Sequence, residues 1–140
     1  MLSVKPKYLF FTMIFLLVLS LVGCNQKEAN LSGKTIISAT ISRVGESMLD
    51  VKKSHITYNQ QNSKELQTFV DAIKRAEKVN GVVDVPAPDY LITLTFKDKT
   101  ISKYSLWLRD GGGSIMNEKD THTIYTLPID LIDDLNRIVE

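Results

Sequence analysis

The chain has two histidines, and these are the first residues to weigh for acid–base or metal chemistry. His55 and His122 each stand beside Ser or Thr in a strand-like segment. A zinc site needs three or four ligands that converge on one metal ion, so Asp84, Asp89 or Asp120 would have to join them. No spacing in the sequence requires that meeting. We therefore interpret both histidines as ordinary polar positions and keep a small metal-dependent hydrolase as the alternative.

The most unusual stretch is "WLRDGGGSIMNEKDTH", which joins a large ring, a guanidinium group and three consecutive glycines. Trp and Arg are the residue types that dominate binding hot spots. Consecutive glycines also let a ligand approach the backbone closely. We predict a long loop that serves for binding, with the candidate residues Trp107, Arg109, Gly111, Gly112, Gly113, Asp120 and His122. The competing interpretation is a plain hairpin connection with Trp107 half in the core.

The segment "VDVPAPDY" sets Asp84 and Asp89 around two prolines. The two carboxylates could receive a cation or the basic group of a partner. Asp near Pro is also ordinary turn chemistry, because its side chain accepts hydrogen bonds from nearby amides. We favour this structural interpretation.

Motifs of the common catalytic classes are missing from the sequence. It contains no phosphate-loop Lys-Ser/Thr, no G-x-S-x-G and no H-E-x-x-H. We predict no catalytic residue, no metal and no cofactor, and therefore a protein that is not an enzyme.

The N-terminus has the layout of a secretory signal. Lys5 and Lys7 precede about 15 mostly apolar residues, which are followed by small Gly23. The run is short for a transmembrane helix, which needs roughly 20 apolar residues. It ends in "LVGC", whose Cys24 is the only cysteine of the chain.

"LVGC" resembles the bacterial lipobox, which implies cleavage between Gly23 and Cys24 and lipid transfer to the Cys24 sulfur. A diacylglyceryl group supplies two acyl chains, which is what stable membrane anchoring requires. We expect a protein anchored on the extracytoplasmic face of the cell membrane. The expected organisation is a signal peptide at 1–23, a lipidated cysteine and flexible tether at 24–34, and one domain at 35–140.

Cleavage before Cys24 leaves 117 of the 140 residues, a usual size for one domain. These residues carry 15 Lys and Arg against 16 Asp and Glu, because the signal holds two lysines and no acid. A net charge of −1 provides no strongly basic face, so nucleic acid is not expected as a partner.

Hydrophobic periodicity predicts the elements that position these residues. Residues 35–42 alternate, with Ile37, Ala39 and Ile41 on one face of a strand. Short strands are expected at 48–51 and 55–58, a hairpin at 90–108, and a further strand at 121–127. Helices are predicted at 62–80 and from Pro128 onwards. The first would begin with a capping box of Asn62 and Glu65 and end at Gly81.

Two helices are too few for a doubly wound parallel sheet. The order of elements predicts an α+β fold, in which two helices pack on one face of an antiparallel sheet of four to five strands.

The stretch "GVVDVPAPDYLITLTFKDKTISKYSLWL", together with "DTHTIYTL", resembles the YhfM-like lipoproteins of Bacillus-type Gram-positive bacteria. The resemblance covers most of the mature domain. It implies a lipid-anchored surface protein with a small α+β domain, and it implies no activity and no catalytic residues.

These observations favour a lipid-anchored extracytoplasmic module without catalysis. It would bind an envelope partner through the 107–122 stretch and the face of the sheet. Besides the hydrolase, an envelope-stress or secretion accessory that acts only through a membrane partner stays open.

Overall fold

The computed structural model describes residues 28–81 and 84–140. Strands in these residues are, in chain order, β1 (Asn30–Leu31), β2 (Lys34–Arg43), β3 (Ile56–Asn59), β4 (Glu77–Lys78), β5 (Tyr90–Phe96), β6 (Ile101–Arg109), β7 (Gly112–Asn117) and β8 (Tyr125–Thr126). The helices are α1 (Ser63–Arg75) and α2 (Ile132–Val139), and a 3-10 turn at Ile129–Leu131 leads into α2. The predicted signal peptide, Gly23 and Cys24 lie outside the described residues.

All eight strands belong to one curled antiparallel sheet. Its order is β1-β2-β5-β6-β7-β8-β4, and β3 pairs with the same edge of β2 as β1 does. The fold is therefore mostly β. The predicted α+β arrangement, with four to five strands and two helices packed on one face, is wrong.

Two of the missing strands, β1 and β4, have a common cause. They have two residues each, whereas alternation becomes a signal only over four residues or more. The third, β7, lies in the stretch that was predicted to be a loop. The predicted strands at 48–51 and 121–127 shrink to a single bridge between Val44 and Val51 and to β8. Pairing between distant segments creates these short strands, and no local pattern announces it.

Strand β2 forms as predicted, but its inward face is shifted at one end. A bulge between Ile36 and Ser38 inserts one extra residue opposite β5. Ile36 is consequently 1% exposed, while Ile37 is only half-buried. The predicted common face of Ile37, Ala39 and Ile41 is therefore broken at Ile37, because a bulge changes which residues point inwards.

The predicted hairpin at 90–108 is confirmed as β5 and β6. Its turn carries Lys99 at φ 68°, and Asp98 accepts hydrogen bonds from the backbone N–H and hydroxyl of Thr100. Lys34 Nζ lies 2.9 Å from Asp98 Oδ2 and ties the start of β2 to this turn. Together these donors lower the pKa of Asp98 to about 2, with the Thr100 hydroxyl as the largest cause.

Helix α1 buries the predicted stripe, with Leu66, Phe69 and Val70 in the core. It is shorter than expected, because Ala76 is already extended and the chain goes on into β4. The capping box does not form. Asn62 instead accepts a hydrogen bond from the backbone N–H of Asn59, 3.0 Å away, with its side-chain oxygen.

Helix α2 joins the same core cluster as α1 and the sheet. Its buried residues are Ile132, Leu135, Ile138 and Val139.

Residues 28–34, which were expected in the flexible tether, contain β1. Ala29 and Leu31 are buried, and the carbonyl of Ala29 accepts a hydrogen bond from the N–H of Ile36. The packed part of the chain therefore starts before residue 35, because one short apolar pair is enough to add an edge strand.

Candidate binding cleft

The three consecutive glycines do not form a long loop. Arg109 pairs with Gly112, so Asp110 and Gly111 alone make the turn between β6 and β7. Gly111 has φ +74°, the left-handed conformation that a tight hairpin turn requires. The prediction of a loop was wrong, although Asp-Gly between two apolar segments is a strong hairpin signal that could have corrected it.

Gly113 lies inside β7 for a packing reason. A Cβ atom built on it would lie 2.8 Å from the carbonyl oxygen of Trp107 and 3.0 Å from methyl groups of Leu108 and Leu127. Gly112 has nothing within 4 Å of such an atom. The glycines therefore shape the sheet, and their open backbone is not presented as a ligand-binding loop.

Trp107 is 5% exposed, yet it does not belong to the main core cluster. Its neighbours in β6 at 106 and 108 point into the core, so Trp107 lies on the opposite face of the sheet. The indole Nε1 donates a hydrogen bond to the carbonyl oxygen of Pro86, 2.9 Å away. The ring thus joins the proline-containing segment to this outer face.

Asp89 fastens the other end of that segment. Its Oδ2 accepts a hydrogen bond from the N–H of Leu108 at 2.9 Å, and its Oδ1 lies 3.7 Å from Nη1 of Arg109. The backbone carbonyl of Asp89 also accepts a hydrogen bond from Val44. The structural interpretation of "DVPAPDY" is supported at Asp89, while Asp84 is exposed.

The segment between β2 and β3 forms an ordered apolar tip, which we define as residues 45–51. Gly45 donates a backbone hydrogen bond to Asp50, and Asp50 donates one to Ser47. On this frame Met48 is 57%, Leu49 97% and Val51 43% exposed. Sequence reasoning placed a strand here and missed these side chains as candidates.

The apolar tip, the proline-containing segment and β6 enclose an open cleft of about 490 Å³. Residues that line this cleft are Glu46, Ser47, Met48, Val85, Pro86, Ala87, Trp107, Met116 and Thr121. Aromatic and Met side chains are enriched in protein interfaces, and the wall of this cleft contains both.

The other predicted site residues lie around this cleft or away from it. Asp120 and His122 flank the lining residue Thr121 in an exposed loop, where the N–H of His122 donates to the Asp120 carboxylate at 3.3 Å. His55 Nε2 instead lies 2.8 Å from the carbonyl oxygen of Val139 and donates to the end of α2.

Across residues 28–81 and 84–140, no group of three or more His, Cys, Asp and Glu residues could hold a metal ion. The convergence that a metal-dependent hydrolase requires is thus not found in this part of the chain.

A second hollow, of about 250 Å³, opens on the core side of the sheet between α1 and the strands β6 to β8. It is lined by Ile73, Ala76, Tyr104, Ile115, Asn117 and Tyr125. Burial raises the pKa of the Tyr104 hydroxyl above its ordinary value. None of the residues singled out from the sequence lies in this hollow.

Among the described residues, no helix is long and apolar enough to cross a membrane.

In the comparison with known proteins, one family model matches the part of the chain that contains the cleft. The family model described as the YhfM protein matches residues 43–140, a range that includes all residues lining the cleft. No curated protein and no solved structure matches the chain. Since the family model matches more than half of the chain, the chain belongs to the YhfM family.

Proposed function

We propose that the chain is a lipid-anchored, extracytoplasmic binding module that acts without catalysis and is held at the cell membrane through Cys24. The anchor is supported by the sequence, in which "LVGC" follows a basic and then an apolar segment. The binding role is supported by the outer face of the sheet. Arg109, a candidate from the sequence, lies on this face two residues beyond Trp107, which lines the cleft.

The observation that carries the binding role is Leu49, which is 97% exposed on an ordered loop. A single exposed apolar residue is ordinary, but here Met48 and Val51 are exposed on the same loop, and Met48 also lines the cleft over Trp107. Contiguous exposed apolar surface marks interaction sites. Holding the loop by its own backbone hydrogen bonds also reduces the entropy that binding would cost.

The position of this surface fits an anchored protein. Ala29, among the first of the described residues, lies beside Ile36, whereas the apolar tip follows Arg43 at the other end of β2. At about 3.3 Å per residue, these ends of β2 lie about 23 Å apart. A domain tethered at Cys24 can therefore present the cleft away from its anchor, towards another protein of the envelope.

The proposed membrane anchor is tested by the variant Cys24→Ser in the full chain. We expect wild type in the membrane fraction with a lipid-modified N-terminus at residue 24, and the variant unlipidated and either uncleaved or released. If both proteins fractionate alike and have the same N-terminus, the anchor is excluded.

The binding role is tested by a photo-crosslinking amino acid placed at Leu49 in living cells. The matched control carries the same group at Asp133, which is exposed on α2. We expect a discrete cross-linked product from position 49 and none from position 133. Equal products from both positions, or none from position 49, would contradict a binding surface at the apolar tip.

A further inference from the structure

The partner's chemistry can be read from the cleft. We infer that the cleft over Trp107 receives an apolar side chain from a positively charged peptide segment of another protein. The inference rests on the proposed binding role, and it adds which class of partner the surface selects.

The apolar half of the inference comes from the shape of the surface. Trp107 and Met116 come from neighbouring strands, and the carbonyl of Pro86 accepts the hydrogen bond of the indole. Met48 lines the cleft, and Leu49, the next residue in the chain, is 97% exposed. A small molecule that filled the cleft would leave Leu49 uncovered. A peptide chain that inserted one side chain would cover both.

The charged half comes from the rim. Glu46 lines the cleft, Asp84 precedes the lining residue Val85, and Asp120 precedes the lining residue Thr121. At pH 7, with His neutral, every formal charge on the lining residues and on their immediate chain neighbours is negative. One carboxylate in the lining and two on residues next to it in the chain favour a partner with Lys or Arg next to its apolar group.

The nearest basic residues do not reverse this charge. Arg109 lies two residues beyond Trp107 on the same face, but it is placed beside Asp89. Lys52 follows the apolar tip and forms an ion pair with Asp50 at 2.8 Å. Lys119 lies two positions before the lining residue Thr121 and follows Glu118. Within two positions of the lining residues, six carboxylates stand against the two cations Arg109 and Lys119, so the rim keeps its negative sign.

A membrane surface is the competing occupant, since Met48 and Leu49 could enter lipid. Bacterial anionic lipid would meet Glu46, Asp84 and Asp120 with like charge, which is unfavourable. The apolar tip also follows the end of β2 opposite to the end that lies beside Ala29. Both facts favour a peptide.

The experiment uses Trp107 as its own probe, because it is the only tryptophan in the chain. The full chain is reconstituted in neutral phosphatidylcholine vesicles and titrated with three synthetic peptides. They are acetyl-Lys-Lys-Leu-Phe-Lys-Lys-amide, its counterpart with Glu in place of Lys, and its counterpart with Ser in place of Leu and Phe. We expect a saturable change in indole emission with the first peptide alone.

Two single variants separate the rim from charge in general. Glu46→Lys reverses a charge on the cleft, and Asp133→Lys makes the same change on α2. We expect Glu46→Lys to weaken binding of the first peptide roughly two- to fivefold, which is the effect of losing an exposed ion pair. We expect Asp133→Lys to leave this binding unchanged. Both residues are exposed, and circular dichroism checks that both variants stay folded.

Each other result overturns the inference. Equal binding of the Glu peptide would remove charge selection, and equal binding of the Ser peptide would remove the apolar anchor. An emission change on adding phosphatidylglycerol to the vesicles, with none on adding peptide, would assign the surface to lipid. If no peptide binds while position 49 still cross-links in cells, the inference fails and the proposed function stands. Failure of both experiments removes both.

Discussion

The indole Nε1 of Trp107 donates a hydrogen bond to the carbonyl oxygen of Pro86, 2.9 Å away. The two residues are 21 positions apart in the chain. The bond ties the proline-containing segment to a tryptophan that lies outside the main core cluster and is 5% exposed. It also holds the proline-containing segment against β6, and both line the cleft.

Changing Trp107 should therefore affect the stability of the whole outer face. Trp107→Phe removes the donor and should cost about 0.5–1.5 kcal/mol of unfolding free energy. Trp107→Ala removes the ring as well and should cost about 3–5 kcal/mol. Urea unfolding measures both, and Leu49→Ala, on a fully exposed neighbour, is the neutral control. An unchanged stability of Trp107→Ala would mean that the ring does not hold the segment.

The three glycines should respond differently to the same substitution. Gly113→Ala places a methyl group against Trp107 and Leu127 and should cost about 1–3 kcal/mol. Gly111→Ala strains a residue at positive φ and should cost about 1 kcal/mol. Gly112→Ala has open space and ordinary φ, so it should be neutral or slightly stabilising. Thermal melting of the three variants gives the order. Three equal effects would contradict the β6–β7 hairpin.

The bulge in β2 predicts unequal effects at two adjacent isoleucines. Ile36→Ala deletes a fully buried side chain and should cost about 2–5 kcal/mol. Ile37→Ala deletes a half-buried one and should cost about 1 kcal/mol or less. Denaturant unfolding of both variants measures the difference. The reverse order would mean that β2 runs without the bulge.

The lowered pKa of Asp98, in the β5–β6 turn, predicts that the stability of the fold depends on pH. Its pKa is about 2 in the folded chain, whereas an unfolded Asp has a pKa of about 3.9. A depressed pKa stabilises the fold above the unfolded pKa, and this stabilisation is lost as pH falls from about 4 to about 2. Wild type should therefore exceed Asp98→Asn in melting temperature at pH 5, and the difference should shrink towards pH 2.

A direct titration of the Asp98 carboxyl carbon by NMR checks the cause. Thr100→Val removes the largest contributor, so the pKa of Asp98 should move back towards its ordinary value. A midpoint near 3.9 in wild type would contradict the hydrogen bonds from Thr100 to the Asp98 carboxylate.

Replacing each of the two histidines by alanine should change the stability of the fold by different amounts. His55 donates to the carbonyl of Val139, and Tyr58 donates to that of Ile138, so both side chains satisfy carbonyl groups at the end of α2. His55→Ala should cost about 1 kcal/mol, whereas His122→Ala, in an exposed loop, should cost almost nothing. Thermal melting at neutral pH distinguishes them. Equal effects would contradict a structural role confined to His55.

The sequence by itself determined the features that short-range patterns encode. The apolar stripe of α1, the β5–β6 hairpin and the last helix follow from periods of 3.6 and 2 residues within single segments. The YhfM resemblance, drawn from residues 81–108 and 120–127, is confirmed by the family model. Trp107, singled out from its residue type, lines the cleft, and its part in binding stays a prediction.

Only the tertiary structure decided the sheet and the cleft. β4 pairs with β8 across about 50 residues, and each has just two residues, so their signal exists only in the pairing. The bulge in β2 and the inward positions of Ile36 and Gly113 depend on the strands beside them. The cleft joins segments from residue 46 to residue 121. Local patterns report how one segment alternates or turns, whereas the surface formed by distant segments depends on how they pack.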